Sequence, residues 1–216
     1  MKNIIDKIVR HLRRWRYARL RKRLHSTEVT IISSNCVGAL CSHDLHLPFL
    51  SPTVNLVILP KDFIKMVSNL DYYMGLDVQM SDDEKGEGWH YGYVDDIPIR
   101  FMHIKYEDEP REKWNARRKR VNMDNVVVMM TEKDGCTYDD LVAFDKLPYK
   151  RKVVFTAKEY PEIKSAFYLK NCVDANTGEV GYLFDFPNSW SLDRYFEQLD
   201  IVQLLNTGEI RKTHIL

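Results

Sequence analysis

Val126-Val127-Val128-Met129-Met130, followed at once by Thr131-Glu132-Lys133-Asp134-Gly135, is the stretch that decides the fold. Five apolar residues without alternation suit a strand covered on both faces, as interior strands of parallel sheets are, and the polar turn behind them marks the carboxyl end. Similar runs lie on either side. Val29-Thr30-Ile31-Ile32 and 54–59 read as strands upstream, 97–104 as another, and 152–155 as one downstream. Between them fall helical patterns. Pro60 opens a helix whose Phe63, Met66, Val67, Leu70 and Met74 share one face, with Gly75 as its stop signal. A second helix spans 108–120, acidic at its start and basic at its end, which complements the helix dipole. A short helix is expected over 138–144 and a C-terminal one over 191–205. Residues 76–96 read as a long excursion, and 165–187 as two short strands around the turn Asn176-Thr177-Gly178. The alternation predicts an α/β fold of three layers, with a mixed, mostly parallel sheet between flanking helices.

The 216 residues are 44% hydrophobic and 12% aromatic, enough for one substantial core. No window approaches the ~20 apolar residues of a transmembrane helix, and the first 25 residues lack the apolar run of a signal peptide. Four unevenly placed cysteines do not resemble a secreted disulfide framework, so reduced thiols and a cytoplasmic setting are expected. The formal net charge of +1 conceals a division. Residues 1–25 carry ten basic side chains and one acid, while residues 26–216 carry 22 basic and 30 acidic ones. A leader of net charge +9 therefore precedes a body of −8, and two segments are expected: a basic helix over 1–25 and one α/β domain over 26–216. Ile5, Ile8, Val9, Leu12 and Trp15 form an apolar stripe on that helix, with cations around it. Such a helix suits an anionic membrane surface; it could equally pack on the acidic body or reach toward RNA phosphates. Of these the membrane surface is the expectation carried forward, with no nucleic-acid partner.

In open α/β sheets, ligands bind beyond the carboxyl ends of the strands. Here those ends offer Ser33, Ser34 and Asn35, then His103 and Lys105, then Thr131, Glu132 and Asp134, then Thr156 and Lys158. Hydroxyls, an amide, an imidazole, carboxylates and amines suit a polyhydroxyl or phosphorylated ligand. Neither the P-loop nor the dinucleotide glycine motif occurs, and the sequence names no cofactor. Cys36, Cys41, His43 and His46 lack the usual zinc spacing, and the acid pairs Asp82-Asp83 and Asp95-Asp96 are ordinary in polar loops. Cys36 with His103 would make a nucleophile pair, although buried, inert cysteine is the commoner state. Trp114, Arg117 and Arg118 share one side of the 108–120 helix, an aromatic plate beside guanidinium forks. That helix carries Arg117 some 14 Å along its axis, so Trp114 and Arg117 either reach a pocket with His103 or lock the helix onto the sheet.

The runs Ile31-Ile32-Ser33-Ser34-Asn35-Cys36-x-Gly38, Ser51-Pro52-Thr53, Phe101-x-His103, Glu112-Lys113-Trp114-Asn115-x-Arg117-Arg118-x-Arg120-Val121-Asn122, Asp134-Gly135-Cys136 and Lys152-Val153-Val154-Phe155-Thr156 resemble the bacterial family called domain of unknown function 1919. The resemblance covers roughly residues 28–170 and leaves the basic leader outside. Members of that family often carry the label of exopolysaccharide or capsule biosynthesis. The resemblance implies an α/β fold and singles out Asn35, Ser51, Thr53, His103, Trp114, Arg117, Arg120 and Asp134. The function expected from it is glycosyl transfer at the inner face of the bacterial membrane, with a sugar or nucleotide sugar as ligand. His103 or Asp134 would act as general base, Arg117 and Arg120 would balance a leaving diphosphate, and Asn35 and Ser51 would orient the sugar. A non-catalytic glycan-binding scaffold is the rival reading. An acyl transferase or esterase using Cys36 or Ser51 with His103 is a third.

Overall fold

The computed structural model describes residues 2–81, 90–102 and 109–213, with side chains from residue 5 onward. Its centre is a parallel sheet of four strands, β1 (Thr30–Ser33), β6 (Val126–Thr131), β7 (Lys152–Thr156) and β8 (Ala166–Tyr168), in the order β1-β6-β7-β8. Register runs Ile31 to Val127, Met129 to Val153 and Phe155 to Phe167. The expected α/β fold with a parallel sheet and flanking helices is present. Both faces are covered, which explains the unbroken apolar runs. Ile32, Val128, Met130 and Val154 point to one side; Ile31, Val127, Met129, Val153 and Phe155 point to the other. The period of two survives in which core each residue enters.

On the first side lie α3 (Pro60–Ser68), α4 (Leu70–Gly75), α5 (Glu109–Arg118) and α6 (Tyr138–Asp145), with Phe63, Met66, Leu70, Trp114, Leu141 and Phe144 in the core. Thr137 and Asp140 close a reciprocal capping box at the start of α6. On the second side lie α2 (Val37–Asp44) and α7 (Ile201–Thr207), together with Phe196 and Leu199. Gly38 opens α2 hard against β1: a Cβ there would stand 2.6 Å from the Ser33 Oγ, so only glycine allows the approach.

Four expectations change. The strands at 54–59 and 97–104 do not join the parallel sheet. They become β2 (Leu56–Val57) and β5 (Ile97–Phe101), which with β3 (Gln79–Met80) and β4 (His90–Val94) form a separate antiparallel sheet, ordered β2-β5-β4-β3. The 76–96 excursion thus contributes two strands. The helix from Pro60 breaks at Asn69, whose φ of −138° is extended, yet its expected apolar face is buried throughout. The 191–205 helix is replaced by a 3-10 turn over Tyr195–Gln198 and by α7, because the Asp200 side chain accepts from the Gln203 N–H and starts a fresh helix. The Asn176-Thr177-Gly178 turn does form a hairpin, closed by a bridge between Val173 and Val180, whereas the flanking strand β8 is parallel.

Helix α1 (Lys2–Arg21) lies on the second side, held mainly by polar groups. Glu197 accepts from the Tyr17 hydroxyl and the Arg16 guanidinium, both at 2.8 Å, and Arg16 also pairs with Asp193. Arg13 donates to the Ser191 carbonyl at 2.8 Å and stacks on Phe186, and Arg21 donates to the carbonyls of Leu45 and His46. Asp44 and Arg194, 2.7 Å apart, continue the cluster inward. Val9 and Tyr17 are buried in the contact. Burial pushes the Glu197 carboxyl and the Tyr17 phenol above their ordinary values, the phenol further because the Glu197 charge faces it. No described helix is long and apolar enough to cross a membrane.

Candidate functional site

The carboxyl ends of β1 and β6 carry a buried polar network that spans three stretches of chain. Beyond β1, the Asn35 side chain donates to the Thr131 hydroxyl at 3.0 Å and accepts from the Val37 N–H at 3.1 Å. The Ser33 N–H donates to the Thr53 hydroxyl at 3.0 Å, and that hydroxyl lies 2.8 Å from the Ser51 hydroxyl. The Ser33 hydroxyl donates to the Asn35 carbonyl and accepts from the Gly38 N–H. Asn35, Ser51, Thr53 and Thr131 are each less than 9% exposed. Sequence reading placed Asn35 and Thr131 at strand carboxyl ends, while Ser51 and Thr53, singled out by the family resemblance, are brought to the same edge by the hydrogen bond from Ser33 to Thr53.

Helix α5 approaches the same edge. The Arg117 guanidinium donates to the Val54 carbonyl at 3.3 Å and sits 5.9 Å from the Phe49 ring centre. It lines a small pocket with Pro52, Asn55, Met102, Lys113 and Trp114. Burial, and secondarily the charge of Arg120, lowers the Arg117 pKa. Arg117 is thus brought beside the 51–55 segment despite the distance along its helix, because its long side chain reaches inward. Trp114 is 1% exposed and its indole N–H donates to the Leu76 carbonyl at 3.1 Å, so the ring anchors α5 and only borders the pocket. Arg120 is exposed and donates to the Ala116 carbonyl of its own helix. His103 lies outside the described residues.

Asp134 occupies the turn after β6, with a φ of 58°. Its N–H and that of Gly135 donate to the Glu179 carboxylate. Asp134 is exposed at the surface, but partial desolvation of its carboxyl raises it above the ordinary carboxylate range and Glu179 adds to this, while Lys133 and Arg100 pull the other way. Glu132 beside it is a brace: it accepts from the Ala157 N–H and the Tyr160 hydroxyl.

A wider opening that sequence reading missed lies at the ends of β7 and β8. This cavity of about 610 Å³ is lined by Glu159, Tyr168, Lys170, Asp193, Arg194, Glu197 and Lys212. Those residues are scattered over more than fifty positions and share no motif. Only the polar residues after each strand end could have pointed there.

The nucleophile candidates Cys36 and Ser51 lie at the β1 end, beside or within the polar network, whereas the metal candidates are placed elsewhere. Burial pushes the Cys36 thiol up, opposite to what a thiolate needs, and Cys136 is pushed up to about 12. Cys41 is a core residue, and the His43 ring stands 2.9 Å from Asp44. Asp95 accepts from Tyr72, and Asp96 accepts from Tyr73 and pairs with Lys65. Asp82 and Asp83 lie outside the described residues.

Fold and site together define a three-layer α/β protein with a polar crevice at the carboxyl edge of its parallel sheet. The chain belongs to the family described as domain of unknown function (DUF1919), which matches residues 8–206. The match includes most of α1, so the basic leader is part of the family pattern, not an addition peculiar to this chain. The chain is also 42% identical over 187 residues to an uncharacterized protein of Haemophilus influenzae, covering 87% of this chain and 88% of that protein.

Proposed function

We propose that this protein is a sugar transferase of bacterial surface-polysaccharide assembly, using a nucleotide sugar or related phosphorylated sugar bound at the carboxyl edge of the parallel sheet. The observation that carries the reading is the Asn35-Thr131 pair at the carboxyl ends of β1 and β6, with Asp134 three residues further on in the turn after β6 and Arg117 bonded to Val54, next to Thr53. Asp134 would take the proton of an acceptor hydroxyl, and Arg117 would offset charge on a departing phosphate. Arg120 would add a second cation, and His103 is the other candidate base. The exopolysaccharide or capsule assignment rests only on what the family resemblance implied.

A non-catalytic glycan-binding role is favoured by one specific observation. The hydroxyls of Ser51 and Thr53 are already committed to each other and the amide of Asn35 to Thr131 and the Val37 N–H, as in a structural brace. A thermal-shift and calorimetry panel of nucleotide sugars, nucleoside diphosphates and oligosaccharides separates the two. Stabilisation by a nucleotide sugar, retained in Asp134→Asn while transfer is lost, is the expected result. Binding of oligosaccharide alone would leave the scaffold reading.

A further inference from the structure

Helix α1 meets the body along one side only. At about 100° per residue, Val9, Arg13, Tyr17, Leu20 and Arg21 gather on the docked side. Ile8, Leu12 and Trp15, at i, i+4 and i+7, gather on the other and are 52%, 41% and 56% exposed. The apolar stripe is therefore split: Val9 is buried, while Ile8, Leu12 and Trp15 form an outward ridge. Exposed cations flank that ridge at Arg19 and Lys22, with Lys7 and Arg14 further round the same outward arc, and no acid occurs between Asp6 and Glu28. The carboxylates of Asp193, Glu197 and Asp44 are taken up by Arg16 and Arg194. Among the described residues, no acid of the body pairs with these four outward cations. Arg19 instead lies over the Trp15 ring, 4.6 Å from its centre, shielding the indole while leaving its own charge exposed.

We infer that this ridge is a docking face for an anionic phospholipid bilayer. A helix lying in the interface buries its apolar edge ~5–10 Å deep and places its Lys and Arg at headgroup phosphates, which is the arrangement presented here. A second copy of the chain does not fit, because its own ridge would bring like charges together. An RNA backbone would use the cations but leaves Ile8 and Leu12 without a role. Because the helix is pinned through Tyr17, Arg16 and Arg21, the bilayer would hold the whole body in one orientation, not on a loose tether. The inference stands apart from the sugar reading, since vesicle binding needs no sugar.

The test is flotation of the full chain with phosphatidylcholine vesicles, with and without phosphatidylglycerol. Binding should require the anionic lipid, weaken with added salt and shift the tryptophan emission to the blue. Replacing Lys7, Arg14 and Lys22 by Gln should weaken it roughly a hundredfold, each cation contributing about fivefold. Changing Ile8, Leu12 and Trp15 to Ser should weaken it at least tenfold and abolish the emission shift, with the melting temperature unchanged because all three are exposed. A wild-type chain that fails to float, a ridge variant that binds as tightly as wild type, or capture of single-stranded RNA in place of vesicles would each overturn the inference.

Discussion

Strands β1, β6 and β7 meet their neighbours through carbon, whereas helix α1 meets the same body through guanidinium, phenol and carboxylate. Phe155 packs edge-on against Phe167 and Phe196 and is fully buried. Tyr17 and Arg16 instead converge on one carboxylate, Glu197, which also accepts from the Arg194 N–H. Apolar contacts are many and individually weak, so the sheet loses stability by degrees; a directional cluster fails when its central acceptor is removed. The two regions should therefore respond differently to substitution.

The largest effect belongs to the sheet. Phe155→Ala should destabilise the whole fold by about 3–5 kcal/mol in denaturant titration, from lost burial and the cavity left behind. Glu197→Ala should cost about 2–3 kcal/mol, since it leaves the Tyr17 hydroxyl and the Arg194 N–H without their acceptor and Arg16 with Asp193 alone. Here hydrogen exchange sharpens the comparison: α1 amides should exchange faster while those of β6 and β7 stay protected. Loss of protection in both together would erase the distinction. Val9→Ala removes two methyl groups from a site only 3% exposed and should cost about 1.5 kcal/mol, again felt first in α1.

The smallest effect is acid dependence on the sheet side. Burial disfavours the Asp145 charge, but hydrogen bonding at Ser165, whose N–H donates to the carboxylate at 2.7 Å, and at the Lys164 backbone outweighs it, so its pKa lies below the usual value. Its stabilisation is thus present above the unfolded-state pKa near 3.8 and disappears as pH falls through the folded value. Asp145→Asn should flatten that acid limb of the stability profile slightly and leave neutral exchange in α1 unchanged. An altered α1 would show that the two regions are coupled.

Legibility in sequence follows the same division. The parallel strands were readable because burial on both faces leaves continuous apolar runs such as Val126 to Met130. The antiparallel sheet was readable only in part: 54–59 and 97–104 stood out as strands, but β3 has two residues and β4 places Gly92 between tyrosines, so neither stands out from a loop and the separate sheet stayed hidden. Asn35 was legible as a polar position at a strand end and Ser51 and Thr53 only through the family resemblance, and the hydrogen bonds that link Asn35 to Thr131 and Ser33 to Thr53 join three separate stretches. The docking of α1 was visible only as opposite charge on leader and body. Which cations turn inward depends on where Glu197, Asp193 and the Ser191 carbonyl fall in space.

The antiparallel sheet also sets the order in which the chain can be assembled. Strands β1 and β6 are hydrogen-bonded neighbours, yet 92 residues separate Ser33 from Val126. At ribosomal rates of ~5–20 residues per second, β1 waits several seconds for its first partner. Helix α1 waits longer still, because Glu197 lies 180 residues beyond Tyr17. A nascent chain therefore carries the basic helix undocked through nearly all of its synthesis, with Val9 and Tyr17 in water beside Ile8 and Trp15. The first segment made is the last to settle, and during that interval its apolar side chains have to be kept from other hydrophobic surfaces.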